Sequence, residues 1–187
     1  QGIYEQLENM KPLTKEQQRN LASIDPYYTK AFEQVKQQID AKVAESKVKA
    51  GKRIREVPSV SEKKLFDAIM ARYKGKVVMV DLWATWCGPC RGAIASFEPR
   101  KNKFKDKDVV FVYITNESSP ESKWLEMVAG IEGEHYRLNR KQWDYICDYF
   151  GVDGIPSYVI VDRDGNARLR NDLRGSGMLE QELSGML

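Results

Sequence analysis

An α/β architecture, with three layers around a mixed central sheet that ends in a terminal hairpin, follows from three features of this 187-residue sequence. Apolar, β-branched runs alternate with helical patterns from Ser61 onward. The turn signal Asp162-Arg163-Asp164-Gly165-Asn166 separates two short strand patterns near the C-terminus. Ahead of both, roughly the first 55 residues carry helical patterns only.

Each element has its own signal. Thr14-Lys15-Glu16-Gln17 has the form of a capping box and opens a short helix. Asp25-Pro26 supplies the N-cap and first residue of a longer one. Along it Tyr28, Phe32, Val35, Ile39 and Val43 form a narrow apolar stripe, and Gly51 is the stop. Such an edge needs cover: its own domain, a second copy of the chain through self-association, or a larger upstream region. Residues 51–61, charged and containing Pro58, read as a linker. The expected division is therefore a helical arm with linker over 1–57 and a second domain over 58–187.

In that second domain Ser61 caps a helix carrying Leu65, Phe66, Ile69 and Met70, and a strand starts at Val77. A helix runs from Cys87 toward Phe97. The continuous apolar run 109–114 suits a strand buried on both faces. Residues 120–129 predict a helix, 135–138 a short strand and 141–150 a further helix. Strands 158–161 and 167–170 pair as the hairpin, and 178–183 lie in a final helix.

Composition narrows the function. A hydrophobic content of 42% over this length supplies the core of one ordinary domain plus an appendage. The net charge of +3 is small and evenly mixed, which argues against a nucleic-acid partner. No apolar stretch approaches the roughly 20 residues that span a bilayer. The chain opens at Gln1 without methionine or leader, which reads as a processed or trimmed form.

The chemistry centres on Trp86-Cys87-Gly88-Pro89-Cys90, directly after the apolar run Val77 to Trp83. Two thiols at a strand-to-helix junction suit dithiol-disulfide exchange. A Cys87 that caps or begins a helix lies beside unsatisfied N–H groups that favour its thiolate, making it the nucleophile. Cys90, about one turn on, is placed to resolve a mixed disulfide. Gly88 permits the tight turn, and Pro89 has its φ set for a first helical turn. A zinc site would need about four ligands, and beyond this pair only Cys147 and His135 remain, so no metal is expected. An inert pair of buried thiols is the other bland alternative.

Asp81 is a carboxylate inside an apolar strand, costly unless it has a task or a partner. Burial would raise its pKa toward the general acid-base range, and a salt bridge to a lysine is the alternative. Trp83 and Trp86 divide between core and the rim of the site. Cys147, with Trp143, Ile146 and Phe150 on one helical face, is expected as a small buried core residue.

The segment from Val80 to Cys90 resembles the active-site strand and loop of the thioredoxin superfamily. The resemblance runs from about Val60 to the C-terminus and includes Gly154-Ile155-Pro156-Ser157 before a strand. It implies the thioredoxin fold, a cis Pro156 against the active-site pair, and an Ile155 backbone that an extended substrate can join. It places Asp81 beneath Cys90, assisting its deprotonation. Trp86, Gly88, Pro89, Ile155 and Pro156 then form the substrate contact, and the redox-active disulfide Cys87-Cys90 needs no further cofactor.

A helix-strand insertion over about 118–139 resembles the TlpA/ResA-like branch, and within it the redox modules of Bacteroides-type envelope proteins. That resemblance implies a periplasmic or envelope-associated setting. Two departures stand out. Ala93 occupies the position, three residues after the second cysteine, where many of these relatives carry glutamate, and the opening β-hairpin of the branch is not evident before Val77.

The expected function is thiol-disulfide oxidoreductase, reducing a disulfide-containing protein substrate and recharged by an upstream thiol electron donor. The reducing direction follows from the Gly88-Pro89 dipeptide, shared with thioredoxin at about −270 mV. A binding module with secondary redox activity is the alternative. A thiol peroxidase would need a separate low-pKa cysteine in a peroxide pocket, for which no candidate is evident.

Overall fold

The apolar runs become strands because each can be covered on both faces by the helices that alternate with them. In the computed structural model, residues 6, 13–23, 26–174 and 177–187 are described. They divide into two compact units, residues 1–52 with 120–130, and residues 53–119 with 131–187.

In the first unit, α1 (Lys15–Ala22) starts in a reciprocal capping box between Thr14 and Gln17. The long α2 (Pro26–Gly51) follows, beginning and ending where Pro26 and Gly51 predict. Asp25, expected as its cap, and the side chains of Tyr28 and Phe32 lie outside the described residues. Along the remaining stripe Ile39 and Val43 are half-buried and Val35 is exposed. The helix α5 (Glu121–Val128), which falls in the stretch expected as an insertion, packs along α2. Lys42 reaches Glu126 there at 2.9 Å.

The second unit contains α3 (Glu62–Met70), β1 (Val77–Leu82), α4 (Gly88–Phe97), β2 (Val109–Asn116) and β3 (Glu134–Leu138). It continues with α6 (Arg140–Phe150), β4 (Ser157–Val161), β5 (Ala167–Leu169) and α7 (Met178–Gly185). The strand order is β3-β2-β1-β4-β5, with β1, β2 and β3 parallel and β4 and β5 antiparallel. Strand β1 is central and buried throughout.

Alternation along β1 divides the core. Val78, Val80 and Leu82 join Leu65, Ile69 and Ile146 on the face covered by α3 and α6. Asp81 points the other way, opposite Tyr113 on β2 and Tyr158 on β4. That face lies under α4, whose Phe97 meets Phe111 edge-on at 5.7 Å.

Three expectations are corrected. Ser61 occupies the N-cap position of α3 with extended backbone, but its side chain makes no capping bond. The stretch expected as a linker is partly stitched to the sheet edge: Arg55 N–H donates to the His135 carbonyl, and His135 N–H to that of Arg53. A free edge strand presents unpaired amides, and β3 recruits this segment to fill them. Cys147 is half-buried rather than core, because Ile146 takes the inward position on α6. Partial burial and the nearby Asp144 and Asp148 push its thiol up to about 11.

Candidate active site

Strand β1 ends at Leu82, and after the four residues 83–86 the chain turns into α4 at Cys87. Cys87 is the N-cap, with extended backbone, and its Sγ accepts the Cys90 N–H at 3.1 Å. Pro89 sits in the first turn, where its missing N–H leaves no gap. The two cysteines are joined in a disulfide. Cys90 is fully buried, whereas Cys87 retains 4% exposure, and Gly88 and Pro89 beside it are exposed. Of the two cysteines, only Cys87 retains any contact with solvent.

The loop before the disulfide is anchored from β2 and the turn after it. Thr85 N–H donates to Ser119 Oγ at 3.0 Å, and that hydroxyl pairs with Thr115 at 2.7 Å. The Trp86 indole donates to Ser118 Oγ at 2.9 Å while the residue stays 62% exposed. Trp83 is fully buried. One tryptophan thus belongs to the core and the other to the rim.

Opposite the disulfide lies the turn into β4. The Ile155–Pro156 peptide bond is cis, and the Ile155 carbonyl oxygen is 3.7 Å from Cys87 Sγ. Arg174 fastens this turn, donating from Nη2 to Ser157 Oγ at 2.6 Å and to the Gly154 carbonyl at 3.0 Å.

Asp81 lies on the α4 side of β1, almost fully buried, and its Oδ1 has no hydrogen-bond partner among the described residues. Burial raises its pKa to about 8, opposed by the positive charge of Lys101. Lys101 is itself buried. Its ammonium pairs with Glu98 at 2.6 Å and lies over the rings of Tyr113 and Phe111 at 4.7 and 5.4 Å. The lysine salt bridge that could have explained Asp81 goes to Glu98 instead.

His135 stacks on Tyr113 at 5.0 Å, its Nε2 donating to the Ile131 carbonyl; burial lowers its pKa to about 4. Among the described residues, no group of three or more His, Cys, Asp or Glu side chains could hold a metal. Nor is any helix among them long and apolar enough to cross a membrane.

The signature of a family described as thioredoxin-like matches residues 75–167, from just before β1 to the start of β5, a span that holds Asp81, Cys87, Cys90, Ile155 and Pro156 but not Arg174. The chain carries a thioredoxin-like domain. This domain superposes on a candidate thiol-disulfide oxidoreductase from Bacteroides vulgatus with a TM-score of 0.52 and 28% identity, covering 63% of this chain and 83% of the other. A thiol:disulfide interchange protein of the thioredoxin family from Chlorobium tepidum shares the fold, with a TM-score of 0.53, 24% identity and coverage of 63% and 83%. In sequence, the thioredoxin-like protein YneN of Bacillus subtilis is 39% identical over 92 residues, 49% of this chain and 54% of that protein. The chain spans from about a quarter to two thirds of the length of the curated relatives it matches first.

Sequence reasoning named both cysteines, Asp81, Trp86, Gly88, Pro89, Ile155 and Pro156; the fold sets residues 86–90 at the start of α4 with the Ile155 carbonyl 3.7 Å from Cys87 Sγ, and leaves Asp81 on the α4 face of β1. It missed Ser118, Ser119, Lys101 and Arg174. The two serines follow β2 directly, a position that loop residues near a strand end could have suggested. Lys101 and Arg174 sit among other basic residues and carry no local signal.

Proposed function

We propose that this chain is a thiol-disulfide oxidoreductase that reduces protein disulfides. The observation that carries the reading is the disulfide at the start of α4, with Cys87 retaining 4% exposure beside the exposed Gly88 and Pro89 and Cys90 fully buried behind it. In the reduced protein the Cys87 thiolate attacks one sulfur of a substrate disulfide. A mixed disulfide forms, and the other substrate sulfur leaves as a thiolate that takes up a proton. Cys90 then loses its proton and attacks Cys87 Sγ, closing the Cys87–Cys90 disulfide and releasing the second substrate thiol. Two electrons pass from protein to substrate, and an upstream dithiol donor restores the reduced pair.

Each neighbouring group has a role in this scheme. The helix N-terminus and the Cys90 N–H favour negative charge on Cys87. Asp81, with a pKa of about 8, accepts the Cys90 proton during resolution, directly or through water. Trp86, Gly88 and Pro89 form one lip of the substrate contact, and Ile155 with Pro156 the other. The reducing direction follows the Gly88-Pro89 pair, and an envelope setting follows the TlpA/ResA-like resemblance.

Reduction of a disulfide-linked peptide pair, with dithiothreitol as donor, tests the reading. The native protein accelerates release of free thiol, and Cys87→Ser abolishes the acceleration. Equal rates with and without Cys87 would refute it.

A further inference from the structure

A groove of about 510 Å³ runs beside α4, with Pro89, which lies between the two cysteines in sequence, and the cis Pro156 among its lining residues. Phe97, Tyr158, Leu173 and Leu179 give it apolar walls. Among its described lining residues only two are charged, and both are arginines, Arg100 and Arg174. Small residues on the α4 side, Gly92 and Ala93, leave the space open.

Neither guanidinium is closely neutralised. Arg174 is held by neutral acceptors, Ser157 Oγ and the Gly154 carbonyl. Its nearest acid, Asp153, is 3.4 Å away with a side chain 82% exposed, a contact worth little in water. The Arg174 Nε is buried without a hydrogen-bond partner among the described residues, which leaves a donor whose desolvation is not offset. Arg100 approaches Glu180 only at 3.9 Å, and Lys103 holds that carboxylate at 2.5 Å.

We propose that this groove binds an acidic side chain of the substrate polypeptide, a glutamate or aspartate within a few residues of the cysteine that joins Cys87. The inference rests on the oxidoreductase reading and gives it a specificity element. The carboxylate accepts from the two guanidinium groups, charge-assisted bonds that a neutral amide cannot match. Its methylene groups lie along Phe97 and Leu179.

Two peptides joined by disulfides, identical except for glutamate or glutamine a few residues from the cysteine, compete for the reduced protein. The glutamate peptide is preferred in kcat/KM by about tenfold. Arg100→Gln, which leaves the Gly154–Ser157 turn anchored, reduces that preference, and Arg100→Glu combined with Arg174→Gln abolishes it. A second readout is independent of turnover. The same peptides with serine for cysteine are titrated into the oxidised protein while the Arg174 Nε–H resonance is followed. Only the glutamate form shifts it. Equal turnover of both peptides with no shift overturns the subsite and leaves the oxidoreductase standing. A glutamate-specific shift without turnover of either peptide supports the subsite and overturns the oxidoreductase.

Discussion

The Lys101 ammonium lies 4.7 Å over the ring of Tyr113, the residue that stands opposite Asp81 in the parallel register of β1 and β2. A buried cation and a buried carboxylate therefore share one face of the sheet, without an ion pair between them. Lys101 lowers the pKa of Asp81, and burial sets it at about 8. Lys101→Met removes the opposing charge and moves the Asp81 midpoint above that value. A carboxyl-carbon NMR titration of Asp81 checks it, and an unchanged midpoint would remove Lys101 from the account. The variant also leaves Glu98 without its cation, lowering stability by on the order of 3 kcal/mol.

Asp81 has two pH signatures. Its carboxyl titrates at 3.8 when solvated and at about 8 in the folded chain, so between these values the native state holds a proton that the unfolded state has lost. The Asp81 contribution to native stability therefore falls as pH rises from about 4 to about 8, by an amount on the order of several kcal/mol, while buried His135, lowered from 6.5 to about 4, contributes the opposite slope over the lower part of that range. Asp81→Asn removes the Asp81 slope, which urea midpoints measured across that range will show. The same variant slows resolution by roughly 100-fold, the usual scale for losing a general base. First attack by Cys87 is less affected.

The two cysteines differ in what their loss leaves behind. Cys90→Ser keeps the attacking sulfur and removes the resolving one, so a mixed disulfide with substrate accumulates. Intact-protein mass spectrometry should find the added mass, reversible by dithiothreitol. With Cys87→Ser no adduct forms at residue 87, and the fully buried Cys90 does not replace it.

Backbone geometry under the site makes a further prediction. Gly133 has φ of +139°, and a Cβ there would lie 2.7 Å from the Phe111 carbonyl and 2.9 Å from the Tyr113 ring. Neither neighbour can yield easily, since Phe111 is in a buried strand and Tyr113 is packed between Lys101 and His135. Gly133→Ala costs about 2–3 kcal/mol through strain and the forced shift. Thermal unfolding measures the loss.

Much of this arrangement was legible in the sequence because its signals are local. A CxxC at a strand-to-helix junction announces both cysteines, and a carboxylate in an apolar strand announces Asp81. The hairpin and the capping box at Thr14 follow from short-range turn and cap chemistry. What escaped depends on residues brought together from afar. Lys101 looks like one more cation in a basic run, and its burial comes with the placement of its ammonium over Phe111 and Tyr113 of β2. Arg174 meets the 154–157 turn across a gap of 17 residues in sequence from Ser157. The pairing of 53–55 with β3 was hidden by the charge and proline that made the segment look like a linker.

The central claim is that the Cys87–Cys90 pair works as a reductant, and its reduction potential tests this most directly. The protein is equilibrated against defined thiol-disulfide buffers, and the fraction reduced is read by thiol alkylation and mass. A potential near thioredoxin's, about −270 mV, is the predicted result. A value near that of the oxidant DsbA, about −120 mV, would contradict it and make the protein an oxidase of its substrates.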